Sequence, residues 1–467
     1  MLLDPTTLLW AAAGLTGVGA LTTALYRWTA FGLVLFVVAQ IHQSFQESGA
    51  AGPDVRDTGV DVLPTDVVAV CLLAAAVLRI VHAARRSDAD GAPLRPVVAA
   101  PLLLLVAMTA WSLLNGGILF GLPTAGNEAR TGFVHLLSAA LYVAVLPPGT
   151  ALVRTVTRLW AATAGVLAVF AVLWWLRVGI GSNSDRVMVD GVLTDARALG
   201  PEQALLIGQA AVALLCLGGR ARAAAWPLLV AVVLMQHRTA WVATGVMAAG
   251  WLLSRRGRGG SRGTAVALLA CGVALLLPVA AYGGDVAESL ASSGEDDRTL
   301  MWRVDGWLGL LPQLGGVQDW LLGLPFGSGY ARLVDGGLVS VSPHNYYLQV
   351  LLRLGLVGLA ALLTLYVAVW RTTGPGVAGP VMAPATASAP AEPDADDRAR
   401  LLLRLLLCSQ LVFCITYPLF PEQAVVLGLL AAHARPLGRA VSRTPKEFPC
   451  PGRPLSSPES PVRTART

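Results

Sequence analysis

Long apolar runs alternate with short polar loops along most of this chain. Near 64–83, 96–115, 131–147, 159–180, 200–217, 264–282 and 346–370 the runs reach or approach the roughly 20 residues that carry a helix across a hydrocarbon layer. Residues 2–41 predict two further spans with a break near Arg27, and residues 400–434 predict a hairpin bent at Pro418 and Pro421. One run departs from the pattern. Between the basic loops at Arg222 and Arg255, the stretch Trp226 to Leu253 is interrupted by Gln236-His237-Arg238-Thr239. Both flanks carry the same sign of charge, so the run should cross an even number of times, as two short helices meeting at Arg238. Its guanidinium would then face protein or a wet cavity. The bland alternative is one long tilted helix whose arginine snorkels to the interface.

Composition agrees with the pattern. The 467 residues are 55% hydrophobic and 13% charged, with mean hydropathy +0.64; a soluble chain would carry about a quarter charged residues. The expectation is an all-α, polytopic transmembrane bundle of about ten to thirteen helices. Met1-Leu2-Leu3-Asp4 lacks the basic start of a signal peptide, so the first apolar segment reads as a retained span. The net charge of +6 is carried almost wholly by arginine, which reads as coding bias and not as a nucleic-acid surface. The cysteines Cys71, Cys216, Cys271, Cys408, Cys414 and Cys450 have no metal-site spacing, and nothing calls for a cofactor.

Arginines orient the chain. Arg85, Arg86 and Arg95, then Arg154 and Arg158, Arg220 and Arg222, and Arg255, Arg256 and Arg258 mark short loops that belong in the cytoplasm by the positive-inside rule. The acidic loops between them belong outside. The chain thus divides into membrane helices with the broken pair (1–282), an extracytoplasmic loop (283–345), a membrane helix (346–370), a cytoplasmic Ala/Pro linker read as disordered (371–399), a helical hairpin (400–434) and a disordered basic cytoplasmic tail (435–467).

The extracytoplasmic loop holds Arg298, Arg303 and Arg332, which no orientation rule explains. Leu300, Val304, Trp307, Leu308 and Leu311 recur at helical spacing, predicting an amphipathic helix on the outer face with Trp302 and Trp307 at the interface. At 100° per residue, Arg298 and Arg303 stand about 140° apart, so one of them alone would face a small site. The turn Gly323-Leu324-Pro325-Phe326-Gly327-Ser328-Gly329 allows positive φ and could offer its amides to an anion. Pro343-His344-Asn345 then opens the 346–370 helix, where a polar pair is costly without partners or a task.

The order of these features is recognisable. An arginine in a helix break is followed by Arg-x-x-x-Trp-Arg (Arg298 to Arg303), the glycine turn, and Pro-His-Asn-x-x-Leu with two glycines at Gly355 and Gly358. The chain resembles the O-antigen ligase/polymerase superfamily, bacterial membrane glycosyltransferases that use polyprenyl-diphosphate-linked glycans. The resemblance is specific from Arg298 to Leu359 and looser around Gln236 to Trp241. Where the family's break usually reads Ser-Arg-Gly, this chain has His237-Arg238-Thr239, and its glycine turn is longer.

The resemblance implies that Arg238 and Arg298 or Arg303 bind the donor diphosphate, that His344 is the essential residue near the acceptor, and that Asn345, Gly327, Gly329 and Trp302 support them. It implies an active site on the extracytoplasmic side of the plasma membrane. The donor would be a polyprenyl-diphosphate glycan and the acceptor a glycan or a lipid or cell-wall molecule, with no metal. Arginines can neutralise a diphosphate leaving group through charge-assisted bonds. His344 could serve as base or, protonated, as a diphosphate ligand. The competing class is a transporter or flippase of lipid-linked glycans. It would place ionisable groups at mid-membrane in inverted repeats, whereas here they gather in one loop and no repeat is visible.

Overall fold

A computed structural model of the chain describes residues 5–49, 63–85, 96–181, 186–189, 192–195, 197–255, 298–334, 336–373 and 393–433. The described residues are mostly helical (81%). Among the described residues, four helices are long and apolar enough to cross a membrane: α3 (Pro64–Arg85), α4 (Pro96–Phe120), α7 (Thr150–Val178) and α13 (Tyr346–Thr372). The N-terminal run forms α1 (Pro5–Arg27) and α2 (Thr29–Gly49), broken at Trp28. The expected span at 264–282, the loop up to Asp297 and the C-terminal tail lie outside the described residues.

Two shorter helices owe their position to protein on every side. α8 (Pro201–Leu217) is buried from Glu202 to Cys216, and α15 (Gln423–His433) from Gln423 to Ala432. Between them runs a buried amide network. Gln209 donates to Ser409 (2.9 Å) and to Gln423 (2.8 Å) and accepts from Trp160 (3.1 Å), while Gln410 donates to the Gln423 carbonyl (3.0 Å). Buried amides left unpaired would be costly, so this network fixes the register of α7, α8, α14 (Pro393–Phe413) and α15.

Three expectations need correction. The run 131–147 is not one regular helix: α5 (Leu122–Ala129) passes through a π-helical turn, Arg130–His135, into α6 (Leu136–Ala144). That turn brings His135 Nε2 to Asp66 (2.8 Å) and Nδ1 to Gln40 (3.2 Å), with Arg130 also on Asp66 (3.1 Å). The linker is shorter than 371–399, because α13 runs to Thr372 and α14 starts at Pro393. Proline in first position with Asp394, Asp396 and Asp397 behind it is a favourable helix start. Finally, the fold is not helical throughout. β1 (Arg186–Val189) pairs antiparallel with β2 (Val192–Asp195), and β3 (Arg332–Val334) with β4 (Gly337–Val339).

α13 itself is interrupted. Gly355 adopts φ +64°, a left-handed conformation that suits glycine, and the Leu321 carbonyl crowds the place a side chain would take. The break leaves the Leu352 carbonyl to accept from the Leu324 amide (2.7 Å). The short helix α12 (Val317–Leu322) and the glycine turn after it are thereby seated against α13.

Candidate functional site

α9 (Ala221–Leu234) and α10 (Arg238–Arg255) are separate helices, and Arg238 heads the second. The backbone between them turns through Gln236, at φ +57°. Arg197 donates to the Gln236 carbonyl (3.2 Å), buried His237 bonds the Leu199 carbonyl through Nε2 (2.8 Å), and Trp241 donates back to Val232 (2.9 Å). This break is therefore pinned from three directions. Next to Arg238, the Thr239 hydroxyl bonds the Thr416 hydroxyl (2.6 Å).

Thr416 and Tyr417, in the turn after α14, bring the separate parts together. Arg303, on α11 (Arg298–Leu310), donates to the Thr416 carbonyl (3.3 Å) and places its guanidinium over the Tyr417 ring, 5.0 Å from the centroid. His344 meets the same ring edge-on, with centroids 6.1 Å apart. One turn thus joins the start of α10, Arg303 and His344. Of the two loop arginines, Arg303 reaches this turn. Arg298 begins the helix, and its side chain lies outside the described residues.

His344 is held in a strained position. Its φ is +50°, uncommon for a residue with a side chain. Before it, the Pro343 carbonyl accepts from Trp307 (2.5 Å); after it, Asn345 caps α13 by accepting the Leu348 amide (2.9 Å). Burial, then Arg303, then Arg332 lower the His344 pKa to about 4, and its Nδ1 is buried without a hydrogen-bond partner. The ring is a neutral imidazole at pH 7. Arg332 is itself engaged, donating to the Tyr330 (3.0 Å) and Val341 (2.7 Å) carbonyls.

In α11 the face turned to the rest of the protein carries small and apolar residues. Gly306 and Leu310 are buried, with Gly306 against the Arg332 guanidinium; Trp302 is half-buried and Leu308 exposed. The glycine turn also has a different partner from the one its pattern suggests. The amides of Gly327 (2.7 Å) and Gly329 (3.3 Å) do point at an anion, and it is the chain's own Glu128. Glu128 in turn pairs with Arg353, whose side chain is 0% exposed and stacks on Tyr330 at 4.2 Å.

Sequence reasoning missed Thr416, Tyr417, Glu128 and Arg353. Arg353 carried a usable signal, being a charge inside an otherwise apolar run. The other three are ordinary loop or helix-end residues whose partners lie far away in sequence. Among the described residues, no group of three or more His, Cys, Asp or Glu side chains is placed to hold a metal.

Residues 223–363 match the family model described as O-Antigen ligase. This match supports the resemblance to the O-antigen ligase/polymerase superfamily. The match takes in Arg238, Arg298, Arg303, His344 and Arg353, and leaves out Glu128 and the Thr416–Tyr417 turn. No curated protein matches the chain. The family match and the long apolar helices support a membrane protein with an O-antigen ligase-type function in surface polysaccharide biosynthesis.

Proposed function

We propose that the chain transfers a glycan from a polyprenyl-diphosphate donor to a glycan, lipid or cell-wall acceptor at the extracytoplasmic face of the plasma membrane, with Arg303, Arg238 and His344 as the working residues. The observation that carries this reading is the meeting of Arg303, His344 and the start of α10 on the Thr416–Tyr417 turn. Arg303 and Arg238 would neutralise the diphosphate as it leaves, with Arg298 as a further candidate. A cation at a helix start opposes the helix dipole, a cost that a bound anion removes.

The state of His344 favours the base over the phosphate-ligand alternative. Burial, and next the two guanidiniums beside it, keep the resting ring unprotonated, as a base must be. Once a diphosphate occupies the arginines, its negative charge offsets theirs and stabilises the imidazolium as it forms. In the step itself the acceptor hydroxyl gives its proton to His344. Its oxygen attacks the anomeric carbon, and the bond from that carbon to the diphosphate oxygen breaks with its electron pair going to the leaving group. In-line attack inverts the anomeric centre.

An apolar groove of about 760 Å³ between α7 and α9 supports a lipid-linked donor. Val169, Leu173, Trp175, Trp226 and Leu234 line it, and Leu234 lies four residues before Arg238. A polyprenyl tail there would keep its hydrocarbon out of water, at about 0.8 kcal/mol per CH₂, with its head near the α9–α10 break.

Cells lacking the protein provide the test, by sizing of extracted lipid-linked and surface glycans. Single repeat units accumulating on lipid indicate a polymerase. Full-length lipid-linked chains that never reach their acceptor indicate a ligase. Lipid-linked glycan confined to the cytoplasmic leaflet would contradict transfer and favour the flippase class.

A further inference from the structure

Between the glycine turn and the middle of α13 the chain makes a closed loop, and His344 lies within it. The loop is shut at its base by the Leu324 amide on the Leu352 carbonyl (2.7 Å) and by one carboxylate from outside, Glu128 on α5. Glu128 Oε2 accepts the Gly327 and Gly329 amides, at 2.7 and 3.3 Å, and Oε1 accepts Arg353 Nε. Arg353 also donates to the Gly329 carbonyl and stacks on Tyr330 at 4.2 Å. One acid thus takes two amides from the start of the loop and a guanidinium from its end.

We infer that Glu128 and Arg353 are positioning residues for His344: together they clasp residues 324–353 into a closed loop and set where the imidazole stands. Four structural features carry this. The glycine-turn amides are already satisfied by Glu128, so the turn as it stands holds the loop closed and is not an empty anion cradle. The turn is wedged in place by close packing, since a side chain at Gly116 would strike the Phe326 carbonyl and one at Gly327 would strike the Phe120 side chain. From the clasped Tyr330, Arg332 bonds both the Tyr330 and Val341 carbonyls, carrying the constraint along the hairpin to two residues short of Pro343. From the other end, Asn345 ties His344 to the first turn of α13, which carries Arg353 two residues before its break at Gly355. The residue held from both sides is the one at φ +50°, a conformation that persists only where its surroundings impose it.

A buried pair can also be merely structural, so the test needs a readout that loss of fold alone does not move. Glu128→Gln leaves a buried guanidinium uncompensated and could unfold the protein. The doubly neutral Glu128→Gln/Arg353→Met removes both charges and keeps their volume, and is the main probe. Full-length protein in lipid nanodiscs, with lipid-linked glycan extracted from cells lacking it, would be assayed for transfer across pH. Backbone hydrogen exchange would be followed in parallel.

This inference rests on the transferase reading, and the two are separated by controls. Wild type without transfer removes that reading. Wild type active with His344→Ala inactive keeps it, and the clasp is then judged alone. The clasp predicts that the double variant loses roughly 10- to 100-fold in kcat and changes KM for the donor less than about threefold, since Arg238 and Arg303 lie outside the loop. Its acid limb should move up toward the ordinary histidine value of about 6.5 as water reaches the ring. Exchange should speed up across 327–345 and stay unchanged in α8. A double variant with wild-type kcat, pH profile and exchange overturns the inference. So does a loss of rate that only tracks the folded fraction, and so does unchanged exchange if wild type proves inactive.

Discussion

The guanidinium of Arg303 lies over the ring of Tyr417, 5.0 Å from its centroid, joining residues 114 positions apart. The contact fixes a flexible side chain at the point where His344 also arrives. The ring matters more than the hydroxyl, which stands at the weak distance of 3.5 Å from Arg303. Tyr417→Phe should therefore keep transfer within about threefold of wild type. Tyr417→Ala should lose about tenfold or more, the equivalent of a cation–π contact of roughly 1–2 kcal/mol. Initial rates on purified variants check this.

Arg303→Lys keeps the charge and loses the planar fork. If Arg303 stabilises the departing diphosphate, the lysine variant should fall about 10-fold in kcat and the alanine variant about 10² to 10³-fold. Both should fold normally, as judged by thermal unfolding, because the helix around Arg303 is anchored separately through Gly306, Leu310 and Trp307. Equal activity of lysine, alanine and wild type would take Arg303 out of the mechanism.

His344→Asn separates chemistry from backbone strain. Asparagine tolerates positive φ, so the loop should keep its course while the base is gone, and kcat should drop about 10² to 10⁴-fold. Wild-type kcat/KM, which reports the free enzyme, should hold from neutral pH down to about 5 and fall through about 4, because burial and the two arginines lower the His344 pKa. An acid limb centred on the ordinary histidine value would mean that the resting ring is not shielded as described.

Glu422, buried in the turn before α15, has its pKa pushed up to about 8 by desolvation and, next, by Glu202. The folded state therefore holds a proton that the unfolded chain releases at about 4.5. Between those values the folded state binds more protons, so stability falls as pH rises from about 4.5 to about 8. Glu422→Gln should flatten this slope and raise the melting temperature relative to wild type at pH 8–9, with little difference near pH 4. Melting curves across pH would show it; parallel wild-type and mutant profiles would refute it.

How much of this could be read beforehand follows from which residues act locally. α3, α4, α7 and α13 announce themselves by the length of their apolar runs, and the α9–α10 break by Gln236-His237-Arg238. The candidate pair Arg303 and His344 was legible from motif order, and Asn345 from its place at a helix start. The Thr416–Tyr417 turn was not, because its contact with Arg303 spans 113 or more residues and leaves no periodic trace. Gly327 and Gly329 show the limit most clearly. Glycine spacing signals amides aimed at an anion, and nothing local says that the anion is Glu128, about 200 residues earlier. The π-helical turn at Arg130–His135 is likewise set by what His135 and Arg130 reach on α3, not by its own sequence.

The most direct measurement is release of polyprenyl diphosphate from a purified lipid-linked glycan by the full-length protein in nanodiscs, comparing wild type, Arg303→Ala and His344→Asn. The account predicts acceptor-dependent release by wild type, with both variants folded and slower by at least about 10². Release that is undiminished in His344→Asn, or wild type that moves the lipid-linked glycan between leaflets without cleaving it, would contradict it.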